Sequence, residues 1–296
     1  MARRSIRFTE QTIAHRIRAG YGSGVGRDYR GWFTIRDFST KGIATRFASI
    51  ELNRVLLFLS NIELNSYLIA ARRGFVDFWE QYPMERDETQ EIARYLGVRH
   101  PVYVGSNRPV VMTLDGVATF VRPNGEVFRE VLDCKPRFRL GDPRTLEKLA
   151  IHEEYARRRG WTYRRFTEHS VPRAVIRNLT WFRMGQVWPD DPEPVADGLE
   201  QWAVRLHRRL REETGTGHLQ LSVRTYCHRF DVVHRLPVGC AQRCLQLLLL
   251  NRLVDFDLNV DHLVVLRGPV TQLTLHPPLP LGIRLPVMDL DWEAEE

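Results

Sequence analysis

The sequence predicts a mixed α/β protein of the α+β kind. A mixed sheet covered by helices would occupy residues 1–170, and a mostly helical, winged-helix-like region residues 171–296. Three observations predict it. Residues 111–136 read as two apolar, β-prone runs joined by the turn Pro123-Asn124-Gly125. Helical periodicity brackets that hairpin at 59–72 and 144–159, with strand candidates on either side. Around Ser170-Val171-Pro172 the pattern changes to leucine- and arginine-rich helical stretches.

Taken in order, Thr9 is an N-cap for a short helix to Arg18, with Ile13 and Ile17 on one face. The glycine-punctuated run Gly20 to Gly26 follows. It lacks the Gly-Lys-Ser/Thr ending of a nucleotide-binding loop, so a flexible or DNA-skimming loop is the expectation. Trp32 to Phe38 and Ile43 to Ile50 suggest a hairpin around Lys41-Gly42. The stretch 59–72 is a helix, Phe75 to Tyr82 a strand and Thr89 to Leu96 a helix, and Arg99-His100-Pro101 leads into a further strand. After the central hairpin, Asp142-Pro143 supplies an N-cap and a first-turn proline for the helix Arg144 to Arg159, and Trp161 to Phe166 is the last strand.

The C-terminal region starts helical and is interrupted at the Pro/Asp-rich segment Trp188 to Pro194. Leu199 to Glu213 is a helix, followed by Gly215-Thr216-Gly217. A helix over Ser222 to Phe230, a turn, a longer helix over Cys240 to Arg252 and a short hairpin around Asp261 give the winged-helix order. Cys227, Cys240 and Cys244 with His228 and His234 can be drawn as a zinc site. Two cysteines four apart on an apolar helix read more simply as buried thiols. The Pro-rich stretch from Pro269 and the acidic end Asp289 to Glu296 read as extended packing segments or a tail.

The central turn sets the register of the hairpin. If Arg122 faces Glu126, Asp115 faces Asp133, and opposed residues share a face about 5 Å apart. Lys135, two residues on, joins them. Paired carboxylates repel unless a proton or cation lies between them, and hard divalent ions such as magnesium suit such oxygen pairs. The same spacing also describes a solvated, charge-laced hairpin face. Lysine is scarce: of 43 basic residues only Lys41, Lys135 and Lys148 are lysine, so a compact point charge has been kept at 135. Glu63 aligns with Leu59, Tyr67 and Ala70 on the core side of its helix, where a carboxylate needs a partner. Ser60-x-x-Glu63 equally spells a capping box.

The net charge of +7 and pI near 9.5 favour a polyanionic partner, nucleic acid first. Four cysteines, no apolar leader after Met-Ala-Arg-Arg and no run near the ~20 apolar residues of a membrane span point to a soluble, cytoplasmic protein.

A helical Glu63, then Asp115, then Asp133-x-Lys135 on the next strand is the order of the PD-(D/E)-x-K nuclease superfamily, whose fold is restriction-endonuclease-like. Further segments narrow the resemblance: Leu59 to Leu64, Glu80-Gln81-Tyr82-Pro83, His100-Pro101-Val102, Cys134-Lys135-Pro136, Arg144 to Leu149, and the glycine run ending Gly26-Arg27-Asp28-Tyr29 with Trp32. Together they resemble the TnsA family, endonuclease subunits of Tn-seven-like heteromeric bacterial transposases, over roughly residues 6–170 and more weakly beyond. The resemblance implies cleavage of the strands at the 5′ ends of a mobile element. It implies as partners transposon-end DNA, a TnsB-type DDE transposase and a TnsC-type AAA+ ATPase. Glu63, Asp115, Asp133 and the Cys134 carbonyl would hold Mg2+, with Mn2+ as substitute and two ions in all, and Lys135 would assist the attacking water. Some family members carry glutamine where Asp133 stands, so this chain has the acidic form of the pattern. Glu80, Gln81 and His100 match family positions without an assigned role, and Glu147 and His152 would stand behind the ligands. The alternatives are a stand-alone restriction or repair nuclease of this fold and a non-catalytic DNA-bridging subunit.

Overall fold

The computed structural model describes residues 8–37, 44–186, 198–214 and 220–278, which divide into two compact units at the junction of Ser170 and Val171. In the first unit, helix α1 (Glu10–Arg18) is capped by Thr9, whose hydroxyl accepts from Thr12 N. Strands β1 (Thr45–Ser49) and β2 (Arg54–Phe58) form an antiparallel pair, and α2 (Asn61–Arg73) follows. Then come β3 (Asp77–Pro83), α3 (Arg86–Tyr95), β4 (Thr113–Val121), β5 (Val127–Cys134), α4 (Pro143–Arg158) and β6 (Thr162–Phe166). The last four strands make one mixed sheet in the order β3-β4-β5-β6, antiparallel except for the parallel β5–β6 pair. A helical crossover such as α4 is what a parallel pair requires.

Helices cover both faces of this sheet. On one, Tyr67 of α2 packs edge-on to Phe78 of β3 at 5.1 Å and lies 5.3 Å from Phe58 of β2. Gly116 makes room for that cluster, since a Cβ there would lie 2.7 Å from the Phe78 ring. On the other face, Ile92 and Ala93 of α3 and Ile151, Tyr155 and Ala156 of α4 pack on Leu114, Val117 and Val131. Glu130 of β5, 1% exposed, accepts from Arg73 of α2 and from Arg164 Nε of β6 at 2.8 Å, tying α2 to the sheet through a buried charge network.

The glycine run is neither linker nor phosphate cradle. Gly26 N donates to Asp77 Oδ1 (3.1 Å), and Arg54 donates to Gly26 O (3.0 Å), Glu80 Oε1 (2.7 Å) and Phe78 O (2.6 Å), so the loop is pinned onto β3. Gly24, at φ +99°, lies where a Cβ would meet Asp28 O at 2.5 Å. The hairpin expected from Trp32 to Ile50 is corrected. Ile35–Asp37 is a 3-10 turn, because the Asp37 carboxylate takes Thr34 N (2.6 Å) and Arg16 Nη2 (2.5 Å), and β1 pairs forward with β2 instead. The strand expected after Pro101 shrinks to a single bridge between Val102 and Pro109.

In the second unit, α5 (Arg173–Phe182), α6 (Leu199–Thr214), α7 (Val223–His234) and α8 (Cys240–Leu250) form the predicted helical region. Strand β7 (Val254–Asp255), the short helix α9 (His262–Val265) and β8 (Thr274–Leu275) complete it. The hairpin expected around Asp261 is corrected. Asp261 instead caps α9 through Leu263 N (2.9 Å), Asn178 holds Leu258 O and Val260 O (both 2.9 Å), and β7 pairs with the distant β8. Cys227, Cys240 and Cys244 are buried free thiols. No helix among the described residues is long and apolar enough to cross a membrane. The turn at Lys41-Gly42, the break at Trp188 to Pro194, Gly215 to Gly217 and the acidic end lie outside the described residues.

Replacing Glu130 by Ala leaves the buried Arg73 without its carboxylate. Such breakage of a buried pair is expected to cost about 3–5 kcal/mol, measured as a fall in urea-unfolding free energy.

Candidate active site

The β4–β5 register runs as the turn predicts, with Val121 opposite Val127 and Gly116 opposite Leu132. One further step brings Asp115 beside Asp133. The Asp115 side chain is 19% exposed and that of Asp133 fully buried. Lys135 closes the cluster. Its Nζ donates to Asp115 Oδ2 (2.7 Å), Asp133 Oδ1 (2.9 Å) and Cys134 O (3.0 Å), so three oxygens converge on one cationic atom. Cys134 N also donates to Asp115 Oδ2 (2.8 Å). The Cys134 thiol turns to the opposite face, against Ser66 of α2 at 3.4 Å, leaving only its carbonyl at the cluster.

Asp133 is held from behind. His152 of α4 and Tyr163 of β6 (2.9 Å) both contact its Oδ2. Burial opposes the Asp133 charge, but Lys135 and His152 outweigh it and keep the carboxyl well below the usual range. Burial also opposes the Lys135 charge, and the two aspartates overcome it, holding the ammonium well above its ordinary value. Asp115 goes the other way: burial, with Asp133 and Glu63 adding to it and Lys135 opposing, pushes its carboxyl up to about 7. The cluster therefore pairs one firmly ionised carboxylate with one poised near neutrality.

Glu63 reaches the cluster electrostatically while making a different set of hydrogen bonds. Ser60 Oγ accepts from Glu63 N (3.2 Å) and donates to Glu63 Oε1 (2.9 Å), and Leu59 N donates to Glu63 Oε2 (2.8 Å). The capping box of the sequence is thus formed, and both Glu63 oxygens are engaged in it. Burial raises the Glu63 carboxyl, and Lys135 and Asp133 act on it with opposite signs. Among the described residues no three His, Cys, Asp or Glu side chains already surround a point that could hold a metal ion. The cap on Glu63 and the ammonium between the aspartates account for that.

The unassigned family positions resolve into supports. Glu80 is the buried partner of Arg54. Gln81 sits between the register pairs Glu80–Gly116 and Tyr82–Leu114, hence beside Asp115, at φ +50°, and its Nε2 donates to Leu57 O (2.9 Å) at the end of β2. His100 bridges Thr89 Oγ1 (3.0 Å) and Pro101 O (2.9 Å), and Glu147 pairs with Arg144. The sequence reading missed two residues. Tyr163 is on the parallel strand, whose register no local pattern carries. Lys148 is exposed on α4 one turn before His152 and feels the charge of Lys135. Lys135 and Lys148 are thus the two lysines among the described residues, and each senses the other's charge.

Residues 74–168 match the family described as TnsA-like endonuclease N terminal; the match contains Asp115, Asp133 and Lys135 and begins after Glu63. The chain is also similar to the Transposon Tn7 transposition protein TnsA of Escherichia coli, 28% identical over 259 residues that cover 87% of this chain and 90% of that protein.

Ser60→Ala removes the two hydrogen bonds of the Ser60 hydroxyl and leaves the one from Leu59 N to Glu63. It is expected to cost about 1 kcal/mol in urea unfolding, with the Asp115–Lys135–Asp133 cluster unchanged.

Proposed function

We propose that this chain, a TnsA-type endonuclease subunit of a Tn7-like transposition system, hydrolyses the strands at the 5′ ends of a transposable element as a divalent-metal nuclease. Its partners would be a TnsB-type DDE transposase, which acts on the 3′ ends, and a TnsC-type AAA+ ATPase. The observation that carries the reading is the convergence of Asp115 Oδ2, Asp133 Oδ1 and Cys134 O within 3.0 Å of one positive atom. That donor set is all oxygen, partly anionic and free of the cysteine thiol, which fits a hard cation such as Mg2+ or Mn2+. The Lys135 ammonium stands in for such an ion. Glu63 would complete the set by exchanging a cap contact for the ion.

When bound, the ion supplies Lewis-acid polarisation of the phosphate and lowers the pKa of a coordinated water. The protein's own groups do the rest. Hydrolysis adds water to phosphorus and breaks one P–O ester bond, so one proton leaves the water and one reaches the departing oxygen. Lys135 stays charged, so it acts as a donor that orients the water and offsets charge growing on the phosphoryl oxygens. Asp115, whose carboxyl burial pushes up to about 7, would hold a cation as the carboxylate, releasing any proton it carries to solvent. His152 and Tyr163 fix the orientation of Asp133; burial and the Asp133 charge raise the Tyr163 phenol, so it remains a donor.

Asp115→Ala is expected to abolish 5′-end nicking in a reconstituted reaction with the transposase while retaining transposase binding in a pull-down. Undiminished nicking would overturn the metal assignment. His152→Ala leaves the second Asp133 oxygen to Tyr163 alone, and the Mn2+ concentration for half-maximal nicking is expected to rise about 10–100-fold.

A further inference from the structure

Immediately after Lys135 the chain makes a short 3-10 turn, Arg137–Arg139, on which Phe138 is 75% exposed. It is more exposed than any other described phenylalanine or tryptophan. The turn is firmly held. Arg139 N donates to Pro136 O (2.8 Å), Leu140 N to Arg137 O (2.9 Å), and Arg137 N to Glu168 Oε2 (3.0 Å), while Lys135 N continues the sheet by donating to Phe166 O (2.9 Å). The residue stays exposed although the Arg139 guanidinium lies over its ring, 5.4 Å from the centroid, and both flanking arginines are exposed. An aromatic face on a rigid turn between two guanidinium groups has the composition of a nucleic-acid stacking platform.

Its place along the chain decides which nucleic-acid segment it meets. Three residues separate the Cα atoms of Lys135 and Phe138 by at most about 11 Å, and their two side chains extend that to roughly 20 Å, so the ring lies within about six base steps of a phosphate at Lys135, at about 3.4 Å per step. A protein partner would need apolar neighbours to continue the patch, and here the flanking side chains are cationic. We propose that Phe138 is a DNA contact that stacks on or wedges against a nucleobase within about six steps of the cut phosphate, with Arg137 and Arg139 holding the adjoining backbone. This rests on the nuclease reading above, because it takes Lys135 to mark the reacting phosphate.

Ultraviolet crosslinking of the full-length chain to an element-end duplex bearing 5-bromodeoxyuridine near the mapped cut tests it, run alongside nicking with the transposase. The expected results are a crosslink in the peptide containing Arg137 to Arg139, and a Phe138→Ala variant that melts like the parent but nicks at least about tenfold more slowly. Phe138→Trp is expected to restore nicking and to show fluorescence quenching on DNA beyond the parent's. Phe138→Ala that nicks and crosslinks like the parent would overturn the proposal. So would a Phe138→Ala variant that loses transposase retention but keeps the crosslink, which would make the turn a protein-docking site. Asp115→Ala separates the two readings: it is expected to keep the crosslink and lose nicking, whereas retained nicking would remove the metal reading and Lys135 as the marker of the cut, and the mapped crosslink alone would then decide whether Phe138 meets the DNA near it.

Discussion

Two carboxylates on neighbouring strands, one of them wholly buried, cannot coexist without positive charge between them, and the first unit is arranged around that requirement. The Lys135 ammonium meets it from the end of β5, held by both aspartates and by a backbone carbonyl. Each surrounding element adds one constraint. The β4–β5 register brings the aspartates together, α4 supplies His152, β6 supplies Tyr163, and α2 presents Glu63 and takes the Cys134 thiol out of the way. A cluster held from so many sides has its geometry fixed in advance of any ligand.

The two faces of the sheet divide the labour. The α2 face is an aromatic and ionic anchor, with Tyr67 among phenylalanines and Glu130 between Arg73 and Arg164. The α4 face carries the charged cluster, with Asp133 and Lys135 at its edge and the row Arg144, Lys148, His152 one turn apart along the helix. Rigidity on one side lets charged groups be concentrated on the other. The glycine run contributes by docking on β3, where Gln81 stands beside Asp115 and reaches the chain just ahead of the Glu63 helix cap.

Much of the site was legible because it is local. A three-residue turn sets the pairing of every residue in its hairpin, so the approach of Asp115, Asp133 and Lys135 followed from Pro123-Asn124-Gly125 alone. The Asp142-Pro143 start of α4 and the Ser60 cap of α2 were readable for the same reason. The failures share a cause as well. Trp32 to Phe38 has strand-like composition, but Asp37 is claimed by Arg16 from another element. The wing around Asp261 gave way to a helix start because Asn178, more than eighty residues earlier, ties down the chain there.

From the chain alone came the residue identities at the cluster, the hairpin that unites three of them, the helical covering and the change of character near Ser170, all encoded in periodicity, turn chemistry and caps within a few residues. Only the folded molecule decided that Glu63 serves its helix cap while sensing the charges of Lys135 and Asp133, that Asp133 leans on Tyr163, and that the last strand pair closes across twenty residues. Those choices are contacts between elements distant in sequence. They are selected by burial and charge compensation, which leave no repeating mark along the polymer.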